Sequence, residues 1–397
     1  MDVSEVEILV LEAGPSGVTA DALEARFPDV SRSTVNRRLS ALVDSGAVRL
    51  VGGGRMSRYV SASPFSLEQI RAYLAIDWQS RPPAPFREEL LSPVPMLDEG
   101  KALRLGGLNA RAQPLDRRFL SNFLIDLSWG SQVLEGGTYT NLDTQALIEY
   151  GQKNQDKPTE DAALILTHKS AIEYLWGNRE ISAATIFEIQ ARLTDRHGLR
   201  ELEDSDHFLP DAQRGRPREN EDVNINRSAY IPPFRPGTGY VGEAFSKLVE
   251  TARGLPPVQS AFFLMTRIPY LQVFANGNKR TARLAANLPL LGAGLLPISF
   301  VDINKADYIQ AMAAFYELGN VQLMEKMFID GYVRSIVRGS EMSPLERMSQ
   351  PDMGALASEL AGYVQSGRFP GGLAGSFVKT PIPAPGRRPS RSSGLGL

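Results

Sequence analysis

Gln272-Val273-Phe274-Ala275-Asn276-Gly277-Asn278-Lys279-Arg280-Thr281-Ala282-Arg283 lies between two apolar runs, 258–268 and 281–291, each with the composition of a buried helix. Gly277 frees the backbone of the intervening loop from Cβ clashes and lets it approach a ligand closely. A helix that begins near Asn278 leaves the N–H groups of its first turn without intrahelical partners, and its positive end faces the loop, so the pattern predicts a seat for a phosphate. Lys279 and Arg280 add charge at its mouth. Arg283, three residues beyond Arg280, shares its helix face and reaches for a second phosphate.

Phe274, Gly277, Asn278, Lys279, Arg280 and Arg283 fall, at matching spacing, on the signature His-x-Phe-x-Asp/Glu-Gly/Ala-Asn-Gly/Lys-Arg-x-x-Arg, so the segment resembles that of the Fic/Doc (Fido) family. The resemblance implies a nucleotide, usually ATP, held by Gly277, Asn278, Lys279, Arg280 and Arg283, and an AMP group transferred to a hydroxyl of a target protein. Two positions depart from the pattern. Gln272 stands where the family has its catalytic His, and Asn276 where it has a metal-binding carboxylate. A carboxamide has no useful pKa and takes no proton at pH 7. Its carbonyl can touch Mg²⁺ but lacks the charge of a good ligand, which makes Asn276 a weak metal candidate.

Upstream, Ser131-Gln132-Val133-Leu134-Glu135-Gly136 resembles the family's inhibitory-helix motif, Ser/Thr-x-x-x-Glu-Gly/Asn. The resemblance implies that Glu135 pairs with Arg283 and blocks the γ-phosphate. A guanidinium committed to a carboxylate cannot also serve a phosphate. Residues 214–240 are expected to form a hairpin flap, because Val223-Asn224-Ile225-Asn226 alternates at period two. The resemblance implies that a target protein docks on this flap, over 216–233, by strand addition. Helices are expected over 146–150, 161–176 and 182–196, then over 307–317 and 321–335 behind the signature, and the resemblance implies that Asn304 and Tyr308 lie near the base position.

Residues 1–62 read as a winged-helix domain. Three helices, the third capped by Ser31, precede strands 48–51 and 59–62 joined by a Gly-rich wing. Val35, Leu39, Leu42 and Val43 form the buried stripe of the third helix. Arg32, Asn36 and Arg37 on its other side, with Arg55 in the wing, are the candidate DNA contacts. Eight acidic residues temper the basic character of this segment, so a protein partner or a homodimer remains an equal alternative. Residues 63–115 are expected to be a Pro-rich connector or adaptor, with 81–86 a stiff linker. The Fic domain is assigned to 116–340. A C-terminal helix followed by a Gly-, Pro-, Ser- and Arg-rich disordered tail from Phe369 is expected within 341–397.

The whole chain has 397 residues, a net charge of −2 and no cysteine, which excludes disulfides and thiolate chemistry. His168, His197 and His207 form no catalytic or metal pair by spacing. With no apolar run near the ~18 residues that span a bilayer, no membrane association and a cytoplasmic location are expected. The expected fold class is mainly α, a Fic-fold helical core with a small β-hairpin flap behind an α+β winged helix. The expected function is an ATP-binding, adenylyltransferase-like protein of altered or weak chemistry. The alternative is a catalytically inactive, autoinhibited nucleotide sensor that acts through the winged helix on DNA or a protein.

Overall fold

The computed structural model of the chain describes residues 3–378, apart from positions 46, 53, 55, 56, 63, 64, 197, 220, 224, 226 and 342–347. Its N-terminal part contains α1 (Val3–Glu12), α2 (Ala20–Arg26), α3 (Arg32–Asp44), β1 (Val48–Val51) and β2 (Arg58–Ser61). Thr19 and Ser31 cap the second and third helices by accepting hydrogen bonds from the N–H groups of Ala22 and Thr34. The two strands pair antiparallel, with Val48 opposite Ser61. Val6, Val10, Leu23, Val35, Leu39, Leu42 and Val48 make a small core of their own. Arg55 of the expected wing lies outside the described residues.

Helix α4 (Leu67–Ala75) opens with a capping box between Ser66 and Gln69. The Pro-rich stretch 81–86 lies against the core. It is docked, with Ala84–Pro85 forming β3, and Phe86 stacks on Tyr270 at 5.4 Å. Helix α5 (Glu99–Leu108) buries Ala102, Leu105 and Leu108 in the main core. Four helices follow: α6 (Arg117–Glu135), α7 (Asn141–Tyr150), α8 (Thr159–Gly177) and α9 (Ala183–Leu193). Gly130 lets α6 press against the backbone at 299–301, where a Cβ would meet the Ser299 carbonyl at 2.8 Å.

The flap also differs from expectation. Among the described residues its strand is β4 (Tyr230–Ile231), which pairs in parallel with β3 rather than closing a hairpin on itself. The ladder uses the N–H groups of Ala84 and Phe86, both 2.9 Å from their acceptors, so Pro85 falls where no donor is needed. Asn224 and Asn226, half of the alternating pattern, lie outside the described residues, and Val223 and Ile225 are not in a strand.

Helices α10 (Tyr240–Gly254), α11 (Pro257–Leu271), α12 (Asn278–Ala285) and α13 (Asn287–Gly292) form the centre. From Ser260 to Leu271 every residue of α11 is buried, as befits a helix that is apolar on all sides. Helices α14 (Lys305–Leu318) and α15 (Gln322–Arg338) close the core, and α16 (Gln350–Ser366) packs on α15. The tail expected from Phe369 instead includes α17 (Gly372–Val378), whose Ala374 and Phe377 are buried. Residues 379–397 lie outside the described residues.

The two parts meet along α14. Val60, Phe65, Ile70, Tyr73 and Leu74 pack with Ala313 and Ala314. Beneath them Glu317, fully buried at its side chain, pairs with Arg81 at 2.9 Å and accepts from the Tyr73 and Ser228 hydroxyls, each at 2.8 Å. Among the described residues no helix is long and apolar enough to cross a membrane. The architecture is mainly α with small two-stranded sheets.

Candidate functional site

The site is built where α11 stops and α12 starts. Gln272 caps α11 in the left-handed region, at φ 50°, and Gly277 caps α12 at φ 80°. A Cβ on Gly277 would stand 3.0 Å from the Thr194 methyl, so both conformation and space call for glycine there. The N–H groups of Asn278, Lys279 and Arg280 open the helix and find no acceptor among the described residues, as the first turn of a helix requires.

The loop between these caps is closed by its own side chains. Gln272 Nε2 donates to the Pro269 carbonyl at 2.6 Å, and its Oε1 accepts from Asn278 Nδ2 at 2.9 Å. Asn278 also grips both backbone groups of Phe274, accepting at 2.9 Å and donating at 2.8 Å. Asn276 accepts from the N–H of Gly277 and from Arg280 Nη2, and donates to the Asp206 carbonyl. Arg280 is spent on backbone: Nη1 donates to Leu193 O at 2.9 Å and Nη2 to His207 O at 2.5 Å. These bonds make Arg280 an anchor of the loop. Burial pushes its guanidinium down to about 10, against the partial compensation of Glu135.

Arg283 keeps different company. Its Nη2 meets Glu135 at 2.5 Å and the Ser131 carbonyl at 3.3 Å, while Nε donates to Ser131 Oγ at 3.0 Å. Glu135 is the last residue of α6, which ends in a left-handed Gly136. Burial alone would raise the Glu135 carboxyl, but Arg283, Lys279 and Arg280 outweigh it and hold the group well below the usual carboxylate range. Burial likewise lowers the Arg283 guanidinium, and Glu135 more than restores it. The Tyr308 ring sits 5.6 Å from Arg283, and neither Tyr308 Oη nor Arg283 Nη1 has a hydrogen-bond partner among the described residues.

Three contributors had no sequence signal. His168, fully buried, lies 2.8 Å from Ser131 Oγ through Nε2, and its Nδ1 lies 2.6 Å from the Leu164 carbonyl. Since Ser131 Oγ already accepts from Arg283 and a carbonyl only accepts, His168 carries its proton on Nδ1 and accepts the Ser131 hydroxyl on Nε2. Burial and Arg280 push this imidazole down to about 3. Arg218 fastens the flap to the loop, donating to Gln272 O at 2.6 Å and Pro233 O at 2.5 Å. Lys305 comes within 2.7 Å of where a Cβ on Gly136 would be, so a second lysine stands beside Lys279 and Glu135. Lys279 itself has no ion pair or hydrogen bond among the described residues, and burial lowers its ammonium.

The structure thus brings Ser131, Glu135, Gly136, Lys279 and Arg283 together, and builds Gln272, Asn276, Asn278 and Arg280 into the loop wall. Asn304 caps α14, accepting from the N–H groups of Ala306 and Asp307. At the position where the signature carries a metal-binding carboxylate, Asn276 offers Mg²⁺ only an amide carbonyl that already accepts from two N–H donors. Arg32, Asn36 and Arg37 lie exposed on α3.

Residues 180–290 match the model of the Fic/DOC family, and the loop described above falls inside that span. In fold the chain resembles a Fic family protein from Desulfovibrio desulfuricans, with a TM-score of 0.50 at 16% identity over 70% of this chain and 89% of that one. A Fic-domain signaling protein from Bacteroides thetaiotaomicron gives 0.45 at 17% identity, over 61% of this chain and 98% of that one. Fic-1 of C. elegans, as residues 134–508, gives 0.45 at 21% identity, over 61% and 69%. The chain carries a Fic domain on a mainly helical Fic fold.

Proposed function

We propose that this protein binds a nucleoside triphosphate, ATP in the first instance, at the open end of α12, in competition with Glu135. The single observation that carries this reading is the Glu135 carboxylate itself, an anion resting on Arg283 beside an unpaired Lys279. A phosphate makes the same charge-assisted contacts as a carboxylate and also suits the free N–H groups of residues 278–280. Glu135 sits at the last turn of α6, a poor place for negative charge unless cations face it. Release of Glu135 is then the step that frees Arg283 for a phosphate.

Ordinary AMP transfer to a hydroxyl is disfavoured on this reading. Gln272 cannot take a proton, and each end of its amide is already held by one bond within the loop, so it serves as a fixed hydrogen-bonding group and not as a base. Glu135 is too weak a base at neutral pH for the same reason that it pairs well. Positioning and electrostatics remain, so adenylyl transfer, where it runs, runs slowly. The main role is nucleotide sensing. Helix α14 supports an output through the N-terminal part, because Tyr308 near its start touches Arg283 and Glu317 near its end holds Tyr73 and Arg81. On this reading the N-terminal part works as a winged helix whose state follows the nucleotide.

The test is calorimetric titration of ATP, with and without Mg²⁺, into wild type and Glu135→Gly. Removal of the competing carboxylate is expected to tighten binding about tenfold, near 1.4 kcal/mol. Equal affinities would remove Glu135 as the brake, and no binding to either protein would end the nucleotide reading.

A further inference from the structure

A cavity of about 260 Å³ lies where the N-terminal hairpin meets the core. Arg49 reaches it from β1, and Arg87 from the segment that follows β3. Arg49 Nε and Arg87 Nη2 are both buried, and neither has a hydrogen-bond partner among the described residues. No ion pair engages either side chain among the described residues. Burial lowers the Arg49 guanidinium, Arg87 lowers it further, and Glu89 pulls in the opposite direction. Two arginines therefore line one cavity, and each also keeps one donor shut away from water and unpaired among the described residues.

The neighbouring charges sharpen the point. Arg81 solves the same problem conventionally, by pairing with Glu317 at 2.9 Å. Glu317 also lines the cavity, but its oxygens are taken by Arg81, Tyr73, Ser228 and the Ala229 N–H, so it has little left for Arg49 or Arg87. Glu89 is exposed and forms no ion pair with either arginine. A buried donor without an acceptor loses its bond to water and gains nothing in return, the more so when the group is charged. Such groups are unusual in native proteins unless something outside the chain completes them.

We propose that this cavity binds a small phosphate dianion, as inorganic phosphate or as the head of a small phosphomonoester, bridging Arg49 and Arg87. The fork of each guanidinium suits tetrahedral oxygens, and one dianion cancels the repulsion between the two cations. The volume falls below the roughly 300–1,000 Å³ of sites for larger ligands, so a nucleoside triphosphate does not fit. Pro82, Pro83 and Pro85 form a wall without N–H donors, which leaves the arginines to dominate recognition. Because Arg49 belongs to the hairpin and Arg87 to the core side, the bound anion clamps the two parts together. This site is independent of the α12 loop and of the nucleotide reading.

The experiment is thermal denaturation of the full chain against sodium phosphate at constant ionic strength, with glycerol 3-phosphate as a second probe. Wild type is expected to gain stability saturably at millimolar phosphate. The Arg49→Gln/Arg87→Gln protein should need about tenfold more, a loss near 1.4 kcal/mol of binding. Lys279→Ala/Arg283→Gln, which removes the other anion site, should still show the component of the response that Arg49→Gln/Arg87→Gln loses. Tighter binding of glycerol 3-phosphate than of phosphate assigns the site to a monoester, and the reverse order to the free ion. Hydrogen exchange at β2 should slow with phosphate in wild type and stay unchanged in the double variant. If the double variant folds poorly, Arg87→Lys, which keeps charge but loses the fork, should weaken the response severalfold. A non-saturable response, or one the arginine variants share, overturns the proposal.

Discussion

Arg280 and Arg283 stand one turn apart on α12, are both buried, and are held in opposite ways. Arg280 is bonded to the carbonyls of Leu193 and His207, groups that belong to the fold and cannot leave without unfolding it. Arg283 is bonded to the carboxylate of Glu135, at the end of a helix whose next residue is an exposed glycine. Backbone oxygens make an arginine part of the scaffold; a carboxylate at a helix terminus makes it exchangeable. Within α12, Arg280 therefore serves the scaffold, and Arg283 is the arginine whose partner can be exchanged.

The largest effect expected from this contrast is on Arg280. Replacement by Met leaves two buried carbonyls unsatisfied and removes a well-packed side chain. Urea denaturation should show a loss of about 3 kcal/mol or more. Arg283→Met should cost less, because Glu135 is 16% exposed and can turn to water. Equal losses would break the distinction between anchor and exchangeable cation.

Next comes Glu135. The Gly substitution strands Arg283 in the core, and breaking a buried pair costs up to 3–5 kcal/mol, less here because one partner is partly exposed. Thermal melts should give a lower Tm without ligand and a larger ATP-induced rise than in wild type. A rise no larger than wild type's would mean that Arg283 is not the group ATP engages.

The pH dependence has a definite sign. His168 is lowered from 6.5 to about 3, so the unfolded chain takes up a proton that the folded one refuses as pH drops below 6.5. Stability contributed by the neutral imidazole is full above 6.5 and declines below it, by up to about 1.4 kcal/mol per pH unit. His207, also lowered by burial and Arg280, adds to this slope. Comparison of wild type with His168→Gln between pH 6.5 and 5 isolates the His168 share, and parallel curves would remove it. Glu135 is lowered from 4.5, so its contribution is present above 4.5 and is lost only as pH falls further. Mild acid therefore does not release the brake, and ATP affinity should not rise between pH 8 and 5 through Glu135.

The signature and the motif around Glu135 were legible because side-chain identity carries them: a glycine at a left-handed cap, cations after it, a carboxylate at fixed distance from a serine. The fate of Arg280 was not. Its partners are carbonyls at positions 193 and 207, and a carbonyl has no letter in a sequence. His168 is hidden for a related reason, since its partner Ser131 lies 37 residues away with no motif joining them. The flap misled through periodicity. Val223 and Ile225 alternate with polar residues, yet the strand formed is Tyr230–Ile231, whose partner Ala84–Pro85 reads as linker because of its prolines. A two-residue parallel pairing has no period to detect. In the tail, Ala374 and Phe377 are buried one helical turn apart amid small residues, too few apolar positions to announce a helix.

The smallest effects concern α3, and they separate two arginines that a composition count treats alike. Arg32 lies 2.7 Å from Asp21 and 3.4 Å from Glu24, with its side chain 62% exposed. Arg37 is exposed on the same helix and makes no ion pair among the described residues. Exposed pairs contribute roughly 0–1 kcal/mol, so Arg32→Ala should leave stability almost unchanged. If α3 meets a nucleic-acid backbone, the free cation is the better contact. Arg37→Ala should then lower the dependence of log affinity on log salt by about one unit for duplex DNA, and Arg32→Ala by less, because Arg32 must first leave two carboxylates. Equal slopes for both variants and wild type would place no phosphate at α3. Its exposed face would then be free for a protein, and the comparison between occupied and unoccupied arginines would hold for the α12 site alone.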